Sequence, residues 1–141
     1  MKILPLILGM MFLSAAGAQA QQPKRSQQPR ATLEQQKMCA DQAKKAFNER
    51  REDLGFQFFS SHYDPTANIC YVLHTKQSSG SFLVISVYDA FEGRSYGEFY
   101  RLDKENFDNP TCYVKPRKDK IGCKTEDEFR KLVEKHFGVA D

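Results

Sequence analysis

The 141-residue sequence contains no tryptophan, and neither sign of charge dominates it. Lysine and arginine total 21 and aspartate and glutamate total 18, so the formal net charge at pH 7 is only +3. A net charge this small provides no global attraction for a polyanion, and we therefore expect no nucleic-acid partner. Because tryptophan is absent, eleven phenylalanines and six tyrosines must supply the aromatic part of any core.

Several motifs of recognisable chemistry are also missing. The sequence has no Gly-x-Ser-x-Gly nucleophile elbow and no glycine-rich phosphate-binding loop. Its four cysteines include no close Cys-x-x-Cys pair of the kind that ligates zinc, since the nearest two are separated by ten residues. We therefore assign no catalytic residue, no metal site and no cofactor. A small hydrolase with an unrecognised acid–base pair is kept as an alternative.

A long apolar run occurs only at the N terminus, at residues 3–13. Lys2 precedes this run, and Ala18 and Ala20 fit the small-x-small rule for signal-peptide cleavage. The run is shorter than the ~20 residues that a membrane-spanning helix needs. The sequence thus predicts a cleavable signal peptide at residues 1–20, a periplasmic or secreted location, and no membrane span after cleavage.

The remaining chain divides into a tether and one domain. Residues 21–32 contain two prolines, four glutamines and no apolar periodicity, a composition typical of a disordered segment. Residues 33–141 have the length of a single domain. We expect this domain to be a monomer.

Helical signals occur at both ends of the predicted domain. Thr32 begins a capping box, and apolar residues at three- and four-residue steps predict a long helix over residues 33–54 that stops at Gly55. Thr125 begins a second capping box, which predicts a short helix that ends at Gly138.

The central part of the sequence has the features of strands. Segments rich in β-branched and aromatic residues alternate with short turn-like stretches, which favour antiparallel hairpins. We predict an α+β fold with a four- to five-stranded antiparallel meander. The strands are expected at residues 56–63, 69–76, 82–89 and 95–102, with a short fifth strand at 112–115. The third strand is apolar on both faces, so we place it at the centre of the sheet. The domain has three layers if the helices cover opposite faces, and otherwise two.

The even number of cysteines in a small exported domain indicates two disulfides. Four cysteines permit three pairings. We favour Cys39 with Cys70, which ties the first helix to the second strand, and Cys112 with Cys123, which closes a local loop.

A cysteine–histidine pair is the sharpest chemical hypothesis. If the first hairpin turn is centred on Thr66, His62 lies opposite Cys70, and a thiol beside an imidazole can act as a nucleophile. This chemistry requires a free Cys70, which the favoured disulfide excludes. We therefore interpret His62 as a polar residue that binds the turn at residues 64–68.

Two surface features are candidates for binding. A basic stretch lies inside the loop that the second disulfide would close, and its cations are Lys115, Arg117, Lys118 and Lys120. Aromatic side chains beside an arginine, which are typical of interfaces, occur around the fourth strand as Phe91, Tyr96, Tyr100 and Arg101. The alternatives are a solvated loop tip for the first feature and a tryptophan-free core for the second.

Several short stretches resemble a group of small, uncharacterised secreted bacterial proteins. They are CADQA at residues 39–43, SHYD at 61–64, NICY at 68–71 and YDAFEG at 88–93, together with Cys123 before the capped helix that contains Phe129. The resemblance spans most of the predicted mature chain. It implies a bacterial periplasmic or secreted setting and assigns no activity.

These observations favour a non-enzymatic exported binding or accessory protein that contacts a protein or an anionic envelope component. The main alternative is an inhibitor of a secreted enzyme that inserts the loop between Cys112 and Cys123 into a cleft. A rigid loop suits this role because it loses little conformational freedom on binding.

Overall fold

The structure is a computed structural model that describes residues 29–53, 55–78, 82–102 and 110–140. The predicted signal peptide and the first eight residues of the predicted tether lie outside the described residues. Leu54, the predicted end of the first helix, also lies outside them.

Two helices and a six-stranded antiparallel sheet form the described part of the chain. In chain order the elements are α1 (Leu33–Arg50), β1 (Phe56–Asp64), β2 (Ile69–Ser78), β3 (Phe82–Asp89), β4 (Ser95–Leu102), β5 (Thr111–Val114), β6 (Ile121–Gly122) and α2 (Glu126–Phe137). The strands lie in the sheet in the same order as in the chain. The α+β fold, the antiparallel meander and the inner position of β3 are confirmed, whereas the prediction of four or five strands was one strand short.

The sixth strand is too short for a sequence pattern to indicate. β6 contains two residues, which pair with Tyr113 and Val114 of β5. It is held there by the Cys112–Cys123 disulfide, which closes the same hairpin. The other predicted disulfide, Cys39–Cys70, is also present.

Helix α1 begins as predicted but is shorter than predicted. The Thr32 hydroxyl accepts a hydrogen bond from the Gln35 amide, and the Gln35 side chain accepts one from the Thr32 amide. The helix ends at Arg50 because Arg51 is already extended, with φ −70° and ψ 129°. Gly55 serves the start of β1 rather than the helix end. Its φ is +72°, and a Cβ atom there would clash with the Gln77 carbonyl of the neighbouring strand.

The first hairpin has a register one residue away from the prediction. Asp64 pairs with Ile69, so the turn contains the four residues 65–68, and His62 lies opposite Tyr71 rather than Cys70. Side chains alternate between the faces of a strand, so this shift places His62 and Cys70 on opposite faces. The predicted cysteine–histidine pair is therefore wrong in both register and chemistry, since Cys70 is disulfide-bonded.

The helices cover opposite faces of the sheet, which gives three layers. Cys70 and Val72 of β2 pack in the cluster that contains the α1 residues, whereas Tyr71 and Leu73 pack in the cluster that contains Phe129 of α2. Adjacent residues of one strand point to opposite faces, so the two clusters lie on opposite sides. None of the helices within the described ranges is both long and apolar enough to cross a bilayer.

The two helices leave different parts of the sheet uncovered. Helix α1 packs on β1 and β2, while α2 packs on β4 and β5. Tyr88 at the end of β3 still packs with the α1 residues, and the Arg50 guanidinium carbon lies 4.0 Å from its ring centroid. The α1 side of the rest of β3, of β4 and of β5 lies beyond the area that α1 covers. This uncovered area adjoins the basic stretch identified in the sequence.

Candidate functional site

The basic stretch forms a loop whose two ends are held by the sheet. We call residues 115–120 the stapled loop, because they connect β5 to β6 inside the Cys112–Cys123 disulfide. The Cys123 amide donates a hydrogen bond to the Cys112 carbonyl at 3.2 Å, and the Lys115 amide donates to the Tyr96 carbonyl. The loop therefore projects from a fixed base.

The stapled loop concentrates positive charge at the surface. Four of its six residues are cations, all exposed: Lys115, Arg117, Lys118 and Lys120. Asp119 is the only acid within the loop. The ion pairs found among the described residues involve none of these four cations. Their charges are thus available to a partner.

Tyr113 supports two of these cations. The Lys120 Nζ atom lies 4.2 Å from the centroid of the Tyr113 ring, and the Lys115 Nζ atom lies 5.4 Å from it. An ammonium group over a tyrosine ring is attracted by the negative face of the π system. This attraction orients the two lysines over the ring and leaves Arg117 and Lys118 at the loop tip.

Tyr113 belongs to a half-exposed polar and aromatic surface, which we call the open face. Its members share the α1 side of the sheet because they lie directly opposite one another across β3, β4 and β5. They are Val84, Ser86, Glu98, Tyr100 and Tyr113, each of intermediate exposure. The open face brings the predicted site residue Tyr100 onto the same side of the sheet as Tyr113, whose ring carries the stapled-loop lysines.

Tyr96 belongs to the core rather than to this surface. It is 7% exposed, and its ring lies 5.2 Å from the ring of Tyr71 and 5.8 Å from that of Phe137. Burial raises the pKa of the Tyr96 hydroxyl. Tyr96 faces the core because of a β-bulge. Val87 pairs with Gly97 but Tyr88 pairs with Ser95, so Tyr96 is an extra residue whose side chain points to the α2 side of the sheet.

The other two members of the predicted aromatic group also lie apart. Arg101 pairs with Leu83 and is on the α2 side of the sheet, opposite to its neighbour Tyr100. Phe91 is exposed in the turn between β3 and β4. The four residues Phe91, Tyr96, Tyr100 and Arg101 therefore form no common surface.

Phe91 instead borders a cavity of about 380 Å³ that the sequence did not indicate. The cavity lies between the N-terminal half of α1 and two hairpin turns, with Met38, Tyr63 and Asp89 in its wall. Asp89 is buried, and its Oδ1 atom accepts a hydrogen bond from the Phe91 amide at 2.9 Å. This bond gives Asp89 a role in shaping the turn.

His74, one of the three histidines, is buried and hydrogen-bonded on the α1 side of the sheet. His74 is 3% exposed, its Nε2 atom lies 3.2 Å from Oε1 of Gln57, and its ring meets the edge of Phe47 at 4.9 Å. Burial, with smaller contributions from Lys76 and Arg50, lowers its pKa to about 4. His74 is thus neutral near pH 7 and donates to Gln57. His62 lies in β1 and His136 lies in α2. The described residues contain no group of three or more side chains that could together hold a metal ion.

Of the predicted site residues, the four cations share one loop, and Tyr100 lies on the same face of the sheet as Tyr113, whose ring contacts two of them. Tyr113 was missed, although its position two residues before Lys115 was a usable signal. Comparison of this chain with protein-family models, curated proteins and solved structures finds no match.

Proposed function

We propose that this chain is a non-enzymatic exported binding protein that docks the stapled loop and the neighbouring open face against an acidic surface of another exported or envelope protein. The observation that carries the proposal is the set of four exposed cations, without ion-pair partners among the described residues, on a disulfide-closed hairpin. Tyrosines beside cations favour a protein over a simple anion, because tyrosine is enriched at protein interfaces.

The rigidity of the loop supports this role. Both of its ends are tied by the disulfide and by strand pairing, so binding needs to immobilise few additional torsions. Exposed charges contribute mainly to the association rate and to partner discrimination. Binding should therefore weaken as salt rises, since the Debye length falls from about 10 Å at 0.1 M to about 3 Å at 1 M.

An inhibitor of a secreted enzyme is the second candidate. It is favoured by the position of Arg117 and Lys118 at the tip of a loop that is closed at its base. A cationic tip is complementary to an enzyme whose specificity pocket carries a carboxylate. Inhibition of a trypsin-like enzyme that Arg117→Ala abolishes would select this candidate over simple docking.

The test is capture by the processed protein, residues 21–141, from envelope and secreted extracts at 0.1 M and 0.5 M salt. A cross-linker identifies both the partner and the contacting residues, and the interaction is then repeated with the purified partner. We expect an acidic protein cross-linked at the stapled loop and weaker binding at the higher salt.

Two matched variants distinguish the effect of the loop charges on binding from the effect of the net charge of the protein. One variant changes the four loop cations, Lys115, Arg117, Lys118 and Lys120, to glutamine. The control changes four exposed cations elsewhere, Lys44, Lys45, Arg51 and Lys135, to glutamine. We expect the partner to be lost only with the first variant. Equal loss in both, or binding to phosphatidylglycerol vesicles in place of a protein, would contradict the proposal.

A further inference from the structure

The opposite edge of the sheet from the stapled loop borders a long groove. It has a volume of about 880 Å³ and lies between the N-terminal half of α1 and the outer side of β1. We call it the edge groove. Its wall includes Arg30, Leu33, Lys37, Ala40, Ser61 and Tyr63.

The pairing of the sheet determines which backbone groups of β1 point away from β2, and two of the residues that carry them, Ser61 and Tyr63, line this groove. The Ala90 amide donates to the Cys70 carbonyl, so even-numbered residues of β2 direct their backbone groups to β3 and odd-numbered ones to β1. The odd-numbered residues of β2 pair with even-numbered residues of β1. The remaining residues of β1 must direct their N–H and C=O groups outward: Gln57, Phe59, Ser61 and Tyr63.

These outward groups have no partner in the described part of the chain. The hydrogen bonds outside the ladder include none to the backbone of β1. Such an edge accepts an added strand readily when nothing blocks it. β1 has nine residues without proline or lysine, and Phe56 and Phe58 are 77% and 46% exposed.

The other edge of the sheet is closed in a different way. β5 is covered there by β6, and the Cys123 amide occupies the Cys112 carbonyl. Because β6 has only two residues, that edge offers little backbone for pairing. Among the described strands, β1 is therefore the edge that is free to accept an added strand.

The charges of the edge groove indicate the kind of strand that fits. Arg30 and Lys37 are the cations in its wall, and its lining contains no carboxylate. A strand added to β1 directs alternate side chains to the α1 side, toward Arg30 and Lys37, and the others toward Phe58. The complementary ligand is an extended segment with acidic residues at alternate positions and apolar residues between them.

We propose that the edge groove binds such an extended acidic segment of a partner protein as a seventh strand, hydrogen-bonded to β1. This surface is separate from the stapled loop and extends the proposed function to a second site. A second copy of the chain fits less well, because its β1 carries one carboxylate, Asp64, and would bring another Arg30 and Lys37 to the same place.

The test uses the processed protein and a fluorescent nine-residue peptide of alternating valine and glutamate. Binding is followed by anisotropy, and amide hydrogen exchange is measured with and without the peptide. We expect slower exchange at the outward amides of β1: Gln57, Phe59, Ser61 and Tyr63. Replacing glutamate by lysine in the peptide, or methylating its alternate backbone nitrogens, should raise the Kd by about tenfold.

Ser61→Pro tests the strand pairing directly. Proline at an outward position removes an amide that the fold does not use, so the variant should keep its circular dichroism and melting behaviour. It should nevertheless raise the peptide Kd by about tenfold, while Ser61→Ala leaves the Kd unchanged. Neutralising the stapled loop should not affect this peptide, so the failure of one site does not imply failure of the other.

Three outcomes would overturn the proposal. The first is no peptide binding at millimolar concentration, and the second is binding that Ser61→Pro and backbone methylation leave unchanged. The third is a concentration-dependent dimer in sedimentation experiments that Ser61→Pro abolishes, which would identify a second copy as the occupant of the edge.

Discussion

At the scale of single residues, His74 links the stability of the fold to pH. It is buried between α1 and the sheet, and burial holds its pKa at about 4, below the ordinary value of 6.5. Between pH 4 and pH 6.5, His74 therefore binds a proton in the unfolded chain but not in the folded chain. Stability is fully present above pH 6.5 and falls as the pH drops toward 4.

The prediction is a loss of about 3 kcal/mol in the free energy of unfolding between pH 7 and pH 4 from this residue alone. Urea unfolding at several pH values measures it. His74→Gln keeps a polar group beside Gln57 but does not titrate, so its stability should change less over the same range. Equal slopes for the two proteins would show that His74 is not responsible.

The residue scale is also where the sequence is least informative about the site. The four loop cations could be identified from their closeness in the sequence. Tyr96 and Tyr100 are four residues apart, a spacing that predicts the same face of a strand, but they lie on opposite faces. The bulge at Tyr96 separates them, and nothing in the pattern of residues 95–102 indicates it. Likewise, the turn at residues 65–68 has a length that composition alone does not determine, which is why His62 was placed one residue away.

At the scale of elements, strands with clear turns at both ends were predicted well, because apolar alternation and turn residues mark the same boundaries. The predicted third and fourth strands have the bounds of β3 and β4. The end of α1 was misplaced because Gly55 resembles a helix-terminating glycine. Gly55 is instead required by its close contact with the Gln77 carbonyl of β2. This is a tertiary contact, which the local sequence pattern does not indicate.

The two disulfides should contribute differently to stability. Cys39–Cys70 spans 31 residues and Cys112–Cys123 spans 11, and chain entropy assigns about 4 and about 3 kcal/mol to loops of these lengths. Cys39 and Cys70 are also buried, so their removal leaves a packing defect on the α1 side. We expect the double alanine variant of the first pair to be the less stable one.

Urea unfolding of the two double variants at equal protein concentration measures this order. The variant lacking Cys112–Cys123 should keep the sheet but expose the amide of Ile121 to faster exchange, because the strand pairing of β6 loses its covalent support. A reversed order of stabilities would mean that the buried disulfide is strained or that the unfolded state retains structure around it.

At the scale of the whole molecule, the meander places the two proposed binding surfaces at opposite edges of the sheet. β1 and β6 are the terminal strands, so the edge groove and the stapled loop are separated by the full width of the sheet. The topology could be predicted from the sequence, but the edge groove could not. It depends on how α1 lies across β1, and no local pattern encodes that position.

This separation predicts that the two sites act independently. Combining Ser61→Pro with the fourfold loop neutralisation should change the free energy of binding to each ligand by no more than about 0.5 kcal/mol relative to the relevant single variant. Calorimetric titration of the combined and single variants with each ligand checks this. A larger difference would indicate that the sheet transmits a change from one edge to the other.

The two disulfides also determine how the chain would respond to mechanical tension between its ends. Force passes directly from Cys39 to Cys70 and from Cys112 to Cys123, so the segments between them remain slack. The fully extended contour is shortened by roughly 150 Å, at about 3.6 Å per residue. β1 and the stapled loop both lie within the slack segments. Tension applied between the two ends of the chain would therefore bypass both proposed contact surfaces.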